Sequence, residues 1–341
     1  MILFVASRET DYLQDLTYAG LAEILGVEKV WDFPSHWQYH SEKRFFWNKK
    51  AEYPQNLGYT PSDQLCALSS FSEANLAVLA SAKPDALQEF HKIFDELKCP
   101  WVFVDGGDRK EIGGDFKRTG GDASFRLFQE LWRKRPPALV FKRELSLQSR
   151  DPLVLPFPFS FKSGDTLLNS AELSKVSPKY DVLFWAVESS ETRALAFQVL
   201  KGKYDCEANG SVPGQKFRKY GLRGKEYFEA LASAKIALSF RGEGFDTLRY
   251  WEIPACGSFM VSEPPIIQIP ENFKDGKHAV FCKPDLSDLT DKIDHFLKNE
   301  KEREDIARAG REHLLKYHTH RARAEYFIGK VKEVLSLDLR R

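Results

Sequence analysis

Short, uninterrupted apolar runs alternate with amphipathic segments along most of this chain, and the alternation happens twice. "MILFVAS", "NLAVLAS" and "WVFVDGGD" are runs of four to seven residues that are apolar on both faces before they turn polar. Between them lie "YLQDLTYAGLAEILG", "PDALQEFHKIFDELK" and "DASFRLFQELWRKR", whose apolar residues recur near helical spacing. Strands buried on both faces and separated by helices predict an α/β fold with largely parallel sheets. The pattern restarts near Tyr180 with "YDVLFWA", the helix "ETRALAFQVLKGK", a short strand "YDCEA", the helix "KEYFEALASAK", and the strands "IALSF", "SFMVSE" and "HAVFC". The chain of 341 residues is long for one core. Two Rossmann-like domains are therefore expected, over 1–165 and 176–320. A C-terminal helix over 321–341 is expected to pack back on the first domain. Ligands bind beyond the carboxyl ends of parallel strands, so two such domains facing each other make one cleft.

Further elements are readable with less detail. "VEKVWDFP" and "ALVFKREL" read as strands, and "LVLPFPFSF", interrupted by prolines, as an edge strand or connector. Leu286, Leu289, Ile293 and Phe296 step by three and four, which predicts a helix over "DLSDLTDKIDHFLKNE". Residues 34–62 have no period but carry His36, Trp37, Tyr39, His40 and Trp47. A loop of that length is usually functional.

Charge and cysteine content narrow the function classes. The 50 basic and 49 acidic residues leave a net charge of +1, so no global field draws the chain to nucleic acid or to an anionic membrane. No apolar run approaches the roughly 20 residues that span a bilayer, and the N-terminus reads as a first strand rather than a signal peptide. The five cysteines (Cys66, Cys99, Cys206, Cys256, Cys282) form no C-x-x-C pair, which argues against structural zinc and a disulfide framework and points to a reducing cytoplasm.

The densest chemistry lies in "SFRGEGFDTLRYWEIPACGSFMVSE", Ser239 to Glu263. A buried strand ends at Phe240, Gly242 and Gly244 permit a tight turn, and a helix begins near Thr247, capped by Thr247 or Asp246. A helix N-terminus after a glycine-bearing turn suits phosphate oxygens, and Arg241 and Arg249 add charge-assisted donors. Glu252, one helical turn after Arg249, would be repelled by phosphate and suits a ribose diol instead. The plain alternative is a solvated loop with an i,i+3 surface pair.

"RYWEIPACGSFMVSE" resembles the R-x-x-E-x-x-A-C-G signature of CgeB-like and other group 1 glycosyltransferases of the GT-B fold. Arg249, Glu252, Ala255, Cys256 and Gly257 carry the match. "GKHAVFCKPDLSDLTDKIDHFLKNEKEREDIARAGREHLLKYHTHRAR" resembles the tail of the same family, with His318, Thr319 and Arg323 in its closing H-T-x-x-x-R pattern. The resemblance is good over about 225–325 and weaker elsewhere. It implies a nucleotide-sugar donor in the C-terminal domain, with Glu252 on the ribose and Arg241, Gly242, Glu243, Gly244, Thr247 and Arg249 around the diphosphate. It implies an acceptor that is a saccharide, a lipid-linked sugar or a protein, and no bound metal. Many retaining members carry two glutamates separated by seven residues. Here Gly244 stands at the first of those positions and Glu243 is one residue away, a departure from the retaining pattern.

An inverting transfer needs a base for the acceptor hydroxyl. Asp105 and Asp108 at the end of one strand, and Asp11 after the first, are the candidates; all three also suit ordinary turns and caps. His36, His40, Lys142 and Arg143 are candidates for acceptor contacts, with structural histidines and a solvated charge run as the bland readings. Two other functions compete: a sugar-nucleotide-binding or assembly protein without catalysis, and a Rossmann oxidoreductase. No G-x-G-x-x-G follows a strand, which sets the last aside.

Overall fold

A computed structural model of the chain describes residues 1–40, 70–164, 168–204 and 224–340. Trp47, Cys66, Cys206 and nearly all of the expected strand "YDCEA" lie outside the described residues. The chain forms two compact units: Met1–Ser160 with Ile267–Ile269 and His320–Arg341, and Phe161–Ile266 with Pro270–Thr319.

In the first unit six parallel strands run in the order β2-β1-β3-β4-β5-β6: β1 Ile2–Val5, β2 Val30–Phe33, β3 Leu76–Leu79, β4 Trp101–Asp105, β5 Leu139–Lys142 and β6 Val154–Pro156. The helices α1 (Tyr12–Leu25), α2 (Trp37–His40), α3 (Pro84–Ile93) and α4 (Gly114–Lys134) fall between them. Strand order reverses between β1 and β3, so the switch point of this sheet, where α/β proteins place ligands, lies beyond those two strands. The reason β1, β3 and β4 form central strands is visible in their burial: every residue in them is buried, so a polar alternation would cost more than it gains. Phe90, Trp101, Phe103, Phe116 and Phe128 fill one side of the sheet, each worth roughly 1.5–3 kcal/mol of burial. β6 sits at the edge, where Pro156 has no ladder to interrupt on its free side.

The second unit holds four parallel strands in the order β10-β9-β8-β7: β7 Tyr180–Leu183, β8 Ala234–Ser239, β9 Phe259–Ser262 and β10 Val280–Phe281. Its helices are α5 (Ser170–Leu173), α6 (Glu191–Leu200), α7 (Gly224–Ala232), α8 (Leu248–Ala255), α9 (Leu289–Lys298) and α10 (Glu300–Tyr317). The last helix, α11 (His320–Leu335), belongs to the first unit: Phe327 stacks on Phe141 of β5 at 4.5 Å, and its first turns press against Gly20 of α1, where a side chain would collide with the His320 carbonyl.

Three local expectations are corrected. The helix expected to include Leu286 starts at Leu289, because Leu286 adopts φ 57° in a turn that Asp285 and Asp288 close by accepting backbone N–H groups. The helix expected from Asp122 begins instead at Gly114, and is really two segments joined at Gly121, whose φ of 69° suits glycine alone. Within the stretch lacking a period, Trp37–His40 form one helical turn. Among the described residues no helix is long and apolar enough to cross a membrane.

Candidate functional site

The site in the second unit grows from the carboxyl end of β8. The strand is buried up to Ser239, and the chain then turns through Arg241–Asp246 into α8. The turn closes on itself, with the Gly242 N–H donating to the Gly244 carbonyl at 2.9 Å. It is also tied to the end of the neighbouring strand. Glu263, one residue beyond β9 and 1% exposed, accepts the Arg241 N–H at 2.6 Å and the Arg241 Nε at 2.5 Å. The backbone amides of Arg241 and Gly242 are thus engaged within the protein. Neither Gly242 nor Gly244 has a positive φ, and a Cβ on Gly242 would stand in ordinary contact, 3.5 Å, with Arg193 Nη2 and Ser189 Oγ.

Arg193 is the residue that sequence reasoning missed. It lies in the first turn of α6, whose cap Ser190 also donates to the Arg241 carbonyl at 2.8 Å. Its guanidinium donates to the Phe240 carbonyl (3.1 and 3.2 Å), the Val187 carbonyl (3.0 Å) and Ser189 Oγ (3.0 Å). These partners are all neutral. Burial, and then the neighbouring Arg249 charge, pull its pKa down to about 10, against the opposing pull of Glu263. A cation depressed by another cation is a place where an anion is stabilising. No local signal marked Arg193: S-x-x-R at a helix start reads as an ordinary cap, and its partner Phe240 is 47 residues away. Glu263 and Tyr227 were missed for the same reason.

The start of α8 differs in detail from expectation. Thr247 occupies the N-cap position with φ −118°, but its side chain makes no capping bond there. Asp246 accepts from Trp251 Nε1 at 2.8 Å and so fixes the helix to its own first turns. Arg249 reaches across to donate to the Trp185 carbonyl, two residues beyond β7. Glu252, 5% exposed, accepts from the Tyr227 hydroxyl of α7 at 2.7 Å. The helix ends at Ala255, one residue after Pro254, and Gly257 (φ 72°) turns the chain into β9. Arg241, Gly242, Glu243, Gly244, Thr247, Arg249 and Glu252 are therefore brought together, with Arg193 added, at the carboxyl edge of one sheet.

The candidates in the first unit are spread over four strand ends. Asp11 caps α1, accepting from Leu13 N–H (3.1 Å) and Gln14 N–H (3.2 Å), and receives Ser81 Oγ at 2.5 Å. Ser81 follows β3, so Asp11 stands at the switch point and is half-exposed there. Asp105 is fully buried. It accepts the N–H groups of Gly107 (3.1 Å) and Gly113 (2.8 Å) and pairs with Lys142 at 3.1 Å, which is also 0% exposed. Lys142 is thereby withdrawn from any acceptor. Asp108, half-exposed, is paired with Arg143 and lies 3.6 Å from Arg118. Arg143 also covers the Phe159 ring at 4.5 Å. His40 is buried on Asp32 at 2.7 Å, and Asp32 also accepts the His36 N–H at 2.5 Å. His36 is 2% exposed and stacks on Tyr39 at 4.4 Å; burial lowers its pKa, so it is held neutral. The two histidines sit inside the unit, not on its surface. Beside them Asp15, bonded to Tyr39 Oη at 2.7 Å, has its carboxyl raised by burial to about 7.

Residues 193–329 match the model of a family described as glycosyl transferase-like. The Anabaena protein Alr3699/HepE, solved in complex with UDP, is similar over 98% of this chain and 100% of that one, at 12% identity and a TM-score of 0.61. The same protein in complex with UDP-glucose gives 98% and 99%, 12% and 0.57. An α-glucosyltransferase in complex with UDP and a 13-mer DNA is similar over 97% and 99% of the two chains, at 10% identity and a TM-score of 0.50. No curated protein sequence matches the chain. The structural likeness shows the GT-B fold, and the match to the glycosyl transferase-like family lies within residues 193–329. The matched region begins at Arg193 and takes in the whole glycine turn and α8.

Proposed function

We propose that the protein moves a sugar from a uridine-diphosphate donor, such as UDP-glucose, to a saccharide, lipid-linked or protein acceptor, and does so in the cytoplasm without a bound metal. One observation carries the reading: Arg193, with the Arg249 charge near it, lies against the turn before α8 that opens with the Glu263-paired Arg241, while the carboxylate of Glu252 lies one helical turn farther on. The cations and the helix N-terminus take the diphosphate, and Glu252 takes the ribose hydroxyls. In the transfer the bond from the anomeric carbon to the diphosphate breaks and its electron pair leaves on the diphosphate. The arginines stabilise that charge as it develops. The acceptor oxygen forms the new bond and gives its proton to a carboxylate. Asp11 suits that role best, since it reaches solvent at the switch point, whereas Asp105 is buried on Lys142 and Asp108 is engaged by arginines. UDP-bound relatives of the same fold support the choice of nucleotide. The test is release of UDP from UDP-glucose with and without a mixture of acceptors. Turnover that rises with an acceptor is expected. Saturable binding with no turnover in any acceptor would make this a binding protein, and no binding would remove the donor site altogether.

A further inference from the structure

We infer that Ser81 is a positioning residue of the transfer reaction, which fixes the carboxylate of Asp11 in the orientation that takes the acceptor proton; the inference rests on Asp11 being the base. Asp11 lies after β1 and Ser81 after β3, and these two strands are parallel neighbours in the sheet. Ser81 is 0% exposed, and its hydroxyl donates to Asp11 Oδ2 at 2.5 Å across 70 residues of chain. The other oxygen of Asp11 is committed to α1, where Oδ1 accepts the N–H groups of Leu13 and Gln14. A carboxylate held through one oxygen can still swing the other about it. The bond from Ser81 removes that freedom, so Oδ2 is presented in one direction before any substrate arrives.

Ser81 is itself oriented. Its oxygen accepts the Lys83 N–H at 3.3 Å, which engages the acceptor side of the hydroxyl while its proton goes to Asp11. The same loop holds the rest of the segment that carries Asp11. Lys83 Nζ donates to the Thr10 carbonyl at 2.7 Å and to Glu9 Oε2 at 3.0 Å. Asp85, in the first turn of α3, accepts Ser7 Oγ and the Arg8 N–H, each at 2.8 Å. Residues 81, 83 and 85 thus brace residues 7 to 11 from the end of the neighbouring strand. The tasks are divided among them: Lys83 and Asp85 hold the loop, and Ser81 aims the carboxylate.

Steady-state UDP release from UDP-glucose tests this, with water or the acceptor mixture as the receiving hydroxyl. The proteins are the parent, Asp11→Asn, Ser81→Ala, the double variant of those two, and Asp85→Asn. Asp11→Asn should lower kcat roughly a hundredfold or more, as loss of a general base does. Ser81→Ala should lower kcat roughly tenfold and leave KM for UDP-glucose unchanged. Asp85→Asn, which loosens the loop without removing a bond to the carboxylate, should leave kcat within about twofold. In the double variant Ser81→Ala should have no further effect, because it acts through Asp11. No turnover in the parent, or parental kcat in Asp11→Asn, overturns the base reading and the role of Ser81 with it. Loss in Asp11→Asn with parental kcat in Ser81→Ala leaves the base standing and overturns the role of Ser81. That role is overturned equally by a loss in Asp85→Asn that matches Ser81→Ala, or by a further loss in the double variant, since Ser81 would then act through the fold of the loop alone.

Discussion

Replacing Asp105 by asparagine should cost stability before it costs anything else. Its carboxylate is fully buried, pairs at 3.1 Å with a fully buried Lys142, and closes the 107–113 loop through two backbone N–H groups. The two N–H groups reach different carboxylate oxygens, so asparagine can accept only one of them, turns its own NH2 toward the other, and leaves the ammonium of Lys142 buried without a counter-charge. Breaking one side of such a pair costs about 3–5 kcal/mol, a large part of the 5–15 kcal/mol that holds a typical protein folded. Replacing both partners removes the orphaned charge, so the Asp105→Asn, Lys142→Met double variant should be less destabilised than the sum of the two single changes. Urea unfolding at neutral pH of the four proteins gives the cycle. Asp105→Asn that unfolds within about 1 kcal/mol of the parent and yet has lost transfer activity would refute this reasoning and return Asp105 to the catalytic candidates.

The Asp15 carboxyl is raised in the folded state, so the folded protein binds a proton more tightly than the unfolded chain; stability should fall as pH rises from about 4 toward 7, and Asp15→Asn should flatten that slope in urea titrations at several pH values. Arg193→Gln should weaken UDP binding by at least tenfold, the value of one charge-assisted bond, and calorimetry that gives the parent affinity would separate Arg193 from the donor.

The strands were legible because burial on both faces leaves no alternative but an apolar run: "NLAVLAS" and "IALSF" contain β3 and most of β8. Helix ends were less legible, since periodicity ran on through Leu286 although a turn held by Asp285 and Asp288 sets the boundary there. At the site, residues contiguous in the chain could be found from the turn and helix alone, which is why Arg241 through Glu252 were readable. Arg193, Tyr227 and Glu263 come from α6, α7 and the end of β9, and only the parallel order of β7, β8 and β9 brings them to one edge. The burial of His36, His40 and Lys142 was equally hidden, because polar side chains at strand ends look alike whether they meet solvent or a buried carboxylate.

A crystal structure of the protein with UDP shows where the donor binds. Diphosphate oxygens are expected on Arg193 and the turn before α8, with the ribose hydroxyls on Glu252. UDP bound elsewhere, or bound here with Glu252 turned away from the ribose, would contradict this placement.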